Sequence, residues 1–70
     1  MRRMEVERRR QGLSQAALGR LAEMHPATVG QIESGYIGRP YPKQLSRLSE
    51  ALGWPAERGD ELLEEASGDE

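Results

Sequence analysis

Apolar side chains recur three and four residues apart along this chain, and no stretch alternates with period two. Leu18, Leu21 and Ala22 keep helical spacing, Val29 and Ile32 sit three apart, and Leu45, Leu48 and Leu52 run i, i+3, i+7. The punctuation between these stretches predicts about five short helices and no sheet. The first covers Arg2 to Arg10, carries Met4 and Val6, and stops near Gly12. The second opens on Ser14, a good N-cap, with Leu13 before it and Leu18 four residues after it in the hydrophobic-staple arrangement. Pro26 suits the first position of a third helix and Gly35 its stop. Tyr36 to Pro42 reads as loop, with a glycine and two prolines. Pro42 and Gly53 bracket the fourth helix. Pro55 opens a fifth with Leu62 and Leu63, weakened by about 1 kcal/mol at Gly59 or split there into two pieces. The fold class expected is all-α: one compact bundle over residues 1–66, with 67–70 fraying as an acidic C-terminus.

The second and third segments are separated by only a few residues, from Met24 to Pro26. Two helices joined that tightly cross steeply, as in a helix-turn-helix. The crossing needs small residues on the first helix, supplied by Gly19 and Ala22, and apolar anchors on the second, supplied by Val29 and Ile32. At 100° per residue Glu33 falls beside those anchors, while Ala27, Gln31 and Ser34 point the opposite way. Gly30 and Pro26 lie on one flank and Thr28 on the other. A solvated face usually carries Lys and Glu. This one is small and uncharged with one long amide, which suits a surface pressed into a DNA groove. Small groups permit close approach, and a Gln can bond adenine bidentately.

Composition narrows the picture further. Seventy residues make one small domain with a marginal core, and no cysteine is present for a disulfide or thiolate metal site. The net charge of −2 hides an asymmetry. Met1 to Arg47 carries nine Lys/Arg against four Asp/Glu, a balance of +5; Leu48 to Glu70 carries one against eight, a balance of −7. A basic body implies an anionic partner for that part. No apolar run is long enough to span a membrane, and the chain reads as cytoplasmic and nucleoid-associated. The acidic residues Glu57, Asp60, Glu61, Glu64 and Glu65 read as a solvated face, with no base or nucleophile beside them. No enzyme activity, cofactor or metal site is expected.

The stretch LSQAALGRLAEMHPATVGQIESG resembles the helix-turn-helix of the lambda-repressor-like, Cro-type (XRE) family. The matching points are Leu13, Ser14, Gln15, Leu18, Gly19, Ala22, Thr28, Val29, Ile32, Glu33 and Gly35, without a gap. LSRLSEALGW downstream resembles the family's fourth helix, and the resemblance spans about residues 5 to 63. It implies a five-helix domain that binds operator DNA as a two-fold dimer. Carried over by position, Gln15 lies where the family contacts phosphate and supports or makes a base contact, and Pro26, Ala27, Thr28 and Gln31 occupy recognition-helix positions. Tyr36 and Arg39 fall in a loop that contacts phosphate in the family, and Arg8 and Glu33 match a pair that is commonly an ion pair. Three positions depart from the pattern. Glu23 stands where the turn usually holds glycine, His25 replaces the usual Ser or Thr cap, and Pro26 replaces a residue that often reads a base.

Together these readings describe a sequence-specific DNA-binding transcriptional regulator, most simply a bacterial or phage repressor. Base readout is expected from Gln15, Ala27, Thr28 and Gln31. Phosphate contact is expected from Arg10, Ser14, Arg20, His25, Tyr36, Arg39 and Lys43, with Arg2, Arg3 and Arg9 as further candidates. The partner is double-stranded DNA with a palindromic operator, bound by a weak homodimer that forms on DNA with its seam at Leu62 and Leu63. Trp54 reads as core, and His25 as a helix-entry residue. The alternative is a protein-interaction module on the same fold, antitoxin- or coactivator-like.

Overall fold

The helical segments form where the apolar spacing and the end signals place them. A computed structural model describes residues 1–66, so the expected fraying of 67–70 lies outside the described residues. In chain order they are α1 (Arg3–Arg10), α2 (Gln15–Ala22), α3 (Pro26–Ser34), α4 (Pro42–Leu52) and a final 3-10 helix (Ala56–Leu63). Among the described residues there is no strand, only an isolated antiparallel bridge between Arg2 and Glu65. There Arg3 N–H donates to the Glu64 carbonyl at 2.8 Å, and Ala66 N–H to that of Met1 at 2.9 Å.

The helix starts follow from side-chain chemistry. Ser14 Oγ accepts from Ala17 N–H at 3.0 Å, and His25 Nδ1 accepts from Ala27 N–H at 3.0 Å. Pro26 and Pro42 occupy first-turn positions, and Gln44 Oε1 reaches back to Tyr41 N–H at 3.0 Å. All four α-helices end on a left-handed residue, and three of them, α1, α2 and α4, close through the same turn; after α1 it is Gly12, with φ +74° and Leu13 N–H reaching back to the Arg8 carbonyl at 3.0 Å. At the end of α4 Gly53 has φ +70°, and Trp54 N–H reaches back to the Ser49 carbonyl at 2.8 Å. At the end of α2 the same part falls to Glu23, with φ +58°, and Met24 N–H reaches Gly19 at 2.8 Å. An L side chain in that region costs about 1–2 kcal/mol, so the tight turn of α2 carries real strain.

Met4, Leu18, Ala22, Val29, Ile32, Leu48, Leu52 and Leu62 form the core, with Leu13, Met24, Ile37, Ala51, Trp54 and Leu63 packed around it. Two expectations change here. Leu21, which shares the helical spacing of α2, points outward and is 59 % exposed. Leu62 is fully buried within its own chain and has no surface to offer a dimer seam; its neighbour Leu63 is half-buried.

The last segment is 3-10 rather than α-helical, with a kink at Arg58. Gly59 is not merely a weak point in it. A Cβ at Gly59 would lie 2.8 Å from Ser49 Oγ and 3.4 Å from Leu45 Cγ, so the missing side chain is what lets this segment sit on α4. Ser49 turns its hydroxyl back to the Leu45 carbonyl at 2.9 Å and is satisfied in that buried contact. Arg58 forks onto Glu61 at 2.9 Å through both Nε and Nη2, which holds the Glu61 carboxyl below its usual range. Its guanidinium also lies over Trp54, 5.3 Å from the ring centroid.

The α2–α3 turn depends on Gly19. A Cβ there would sit 2.5 Å from the Met24 carbonyl oxygen and 3.4 Å from Pro26 N, both backbone atoms that no rotamer change can move. Gly19→Ala is therefore expected to cost about 1–3 kcal/mol despite alanine's better helix propensity. Urea denaturation measures it, and an unchanged or raised midpoint contradicts the close approach.

Candidate nucleic-acid interface

Helix α3 buries Val29 and Ile32 completely and leaves Ala27, Gln31 and Ser34 exposed, with Pro26, Thr28 and Gly30 half-exposed along its sides. The sequence PATVGQIES contains one charged residue, Glu33, and that residue is turned inward and only 4 % exposed. Arg8 from α1 meets it with two hydrogen bonds, Nε to Oε2 at 2.6 Å and Nη2 to Oε1 at 3.2 Å. The third arm of the guanidinium, Nη1, donates to the Leu13 carbonyl at 2.8 Å. Arg8 thus ties α1, the entry to α2 and the end of α3 together. Among the described residues no buried side-chain polar atom lacks a partner. The outward side of α3 is left without charge.

Gln15 opens α2 beside this pair. Its Nε2 donates to Glu33 Oε1 at 3.0 Å, so the amide lies against α3 rather than projecting freely. The structure therefore brings Gln15, Glu33 and Arg8 into one network, on the flank of the face that holds Ala27 and Gln31. Ser14 and His25, at the starts of α2 and α3, each spend one side-chain atom on a cap. The imidazole of His25 accepts through Nδ1, which leaves Nε2 to face solvent at an exposed position.

The candidate phosphate contacts are spread more widely. Arg20 and Lys43 are exposed, and Tyr36 is 81 % exposed in the loop after α3. Arg10 is paired with Glu7 at 3.1 Å, Arg9 with Glu5 at 2.8 Å and Arg39 with Asp60 at 2.7 Å, all with exposed guanidinium groups. Such surface pairs contribute about 0–1 kcal/mol each, so an incoming phosphate can displace the carboxylate at small cost.

Arg2 does not face outward as a phosphate contact would. Considered for phosphate, it instead turns inward, with Nη1 donating to the Ile32 carbonyl at 3.1 Å and the Ile37 carbonyl at 3.4 Å, and Nη2 to that of Gly38 at 2.8 Å. It caps the end of α3 and shapes the loop that follows. The last turn of α3 has no basic residue of its own, so its free carbonyls are open to a cation from elsewhere, which is favourable at a helix C-terminus.

A family model described as a helix-turn-helix domain matches residues 2–62. No curated protein and no solved structure matches the chain. Among the described residues no helix is long and apolar enough to cross a membrane, and no group of three His, Cys, Asp or Glu could hold a metal ion.

Glu33→Gln leaves the Arg8 guanidinium buried without its counter-charge. That is expected to cost about 3–5 kcal/mol, a large part of the roughly 4–10 kcal/mol that stabilises a domain of this size. Thermal unfolding followed by circular dichroism should show Tm lowered by more than about 12 °C. An unchanged Tm contradicts the pair's structural role.

Proposed function

We propose, from the premise that this chain belongs to the helix-turn-helix domain family, that it is a sequence-specific DNA-binding transcriptional regulator, a repressor of bacterial or phage type. It reads the major groove with α3. The observation that carries this reading is the face of α3 itself: Ala27, Gln31 and Ser34 are exposed, and the helix's one carboxylate is buried against Arg8. A phosphate-lined groove repels exposed acid and favours small groups and amides, and this helix presents the second kind of surface.

Base readout falls to Ala27, Thr28, Gln31 and Gln15. Pro26 lacks the hydrogen-bonding group that a base contact needs. Arg10, Ser14, Arg20, His25, Tyr36, Arg39 and Lys43 are the phosphate-positioning set, with His25 donating through Nε2. Two copies bind a palindromic operator with half-sites about one helical turn apart, as a weak homodimer formed on the DNA. Leu63 is what remains of the expected seam, since Leu62 is used up in the core. The working compartment is the cytoplasm, at the nucleoid.

Selection from randomised duplexes at low salt is expected to return a palindromic site. Binding to that site should weaken by about 10³–10⁵ between 50 and 200 mM salt if six to ten phosphates are contacted. The Gln15→Ala, Gln31→Ala double variant should lose preference for the selected site. Retention of no duplex at low salt contradicts the regulator reading and favours a protein partner.

A further inference from the structure

Gly30 stands on the outward arc of α3, beside Ala27 and Ser34, with no side chain of its own. A Cβ at Gly30 would lie 3.2 Å from Gln15 Nε2 and 3.4 Å from Gln15 Oε1. The place that α3 leaves empty is filled by an amide lent from α2. Chemistry fixes which way that amide faces. A carboxylate only accepts, so Gln15 must turn its nitrogen to Glu33 Oε1, 3.0 Å away. Glu33 cannot swing aside, because Arg8 holds both of its oxygens.

One of the two Nε2 hydrogens is thereby spent. What remains for a ligand is Oε1 and a single N–H, an acceptor and a donor in fixed order. Adenine offers the complement in the major groove, an N6 amine that donates and an N7 that accepts. Guanine presents two acceptors there, thymine an acceptor and a methyl group, and cytosine a lone donor, so none of them satisfies both atoms. A phosphate oxygen would use the N–H and leave Oε1 facing like charge.

We infer that Gln15, seated on Gly30 and oriented by Glu33, reads an adenine in each half-site, with Glu33 as the positioning residue that sets its polarity. This rests on the DNA-binding reading above. It assigns to a side chain of α2 the base contact that Pro26 at the start of α3 is unable to make.

The test measures affinity for the selected duplex and for its single-base variants, with wild-type protein, Gln15→Ala and Gly30→Ala. Gly30→Ala keeps the helix intact, since alanine is the better helix former and the displaced atoms are the end of a flexible side chain. The wild type is expected to prefer adenine at one half-site position by roughly 5- to 150-fold, the range for a good bidentate contact. Gln15→Ala should abolish that preference while leaving the other positions discriminated, and Gly30→Ala should shrink it at the same position. Glu33→Gln, assayed at low temperature where it remains folded by circular dichroism, should admit a second base there because the amide can then flip. Equal weakening of Gln15→Ala on every duplex overturns the inference and makes Gln15 a phosphate contact. So does an adenine preference that survives Gly30→Ala undiminished. Those outcomes leave the regulator reading standing, whereas failure to select any duplex removes both.

Discussion

Arg8 of α1 and Glu33 near the end of α3 neutralise each other where either alone would be costly to bury. The two side chains are 9 % and 3 % exposed, and the Leu13 carbonyl, the Gln15 amide and a second hydrogen bond within the pair complete the network. A buried ion pair is a weak source of stability relative to an apolar replacement, because desolvation offsets most of the attraction. Its effect here is positional. It fixes α1 to α3, holds the chain at the entry to α2, and withdraws the only acid from the helix that is proposed to meet DNA. Fold and surface chemistry are settled by the same contact.

Around that contact the helices are brought together by missing side chains. Gly19 lets the turn of α2 close on itself, Gly59 lets the 3-10 segment lie on Ser49, and Gly30 gives its space to Gln15. With eight of the described residues in its central core, the domain cannot rely on burying more apolar area. Close backbone approach increases packing without adding residues. Arg2 contributes in the same economical way, its one guanidinium serving three carbonyls at the end of α3 and in the following loop.

Much of this was legible in the sequence because it is local. Ser14, Pro26, Gly35, Pro42 and Gly53 mark helix ends through rules that act within one turn, and the spacing of Val29 and Ile32 sets the inward side of α3. The candidate face follows from that side by subtraction. The remainder depends on which long side chain reaches which distant atom. Arg2 and Arg39 are alike in sequence, yet one caps a helix and the other pairs with Asp60 on the surface. Leu21 keeps the helical spacing of α2 yet is exposed, and Leu62, expected at a surface seam, is core, because the stripes are too narrow for the sequence pattern to locate their edges. The role of Gly30 was invisible until Gln15 could be placed against it.

Arg8 and Glu33 thus act as one unit on which the arrangement of α1 and α3 depends. A double-mutant cycle in urea with Arg8→Met and Glu33→Leu tests it most directly, since it separates the pair from the burden each variant imposes alone. Each single variant should lose several kcal/mol by stranding the other's charge, while the double variant should recover most of that loss, for a coupling of about 2 kcal/mol or more. Additive losses, with the double variant less stable than either single one, would mean that the two residues act independently.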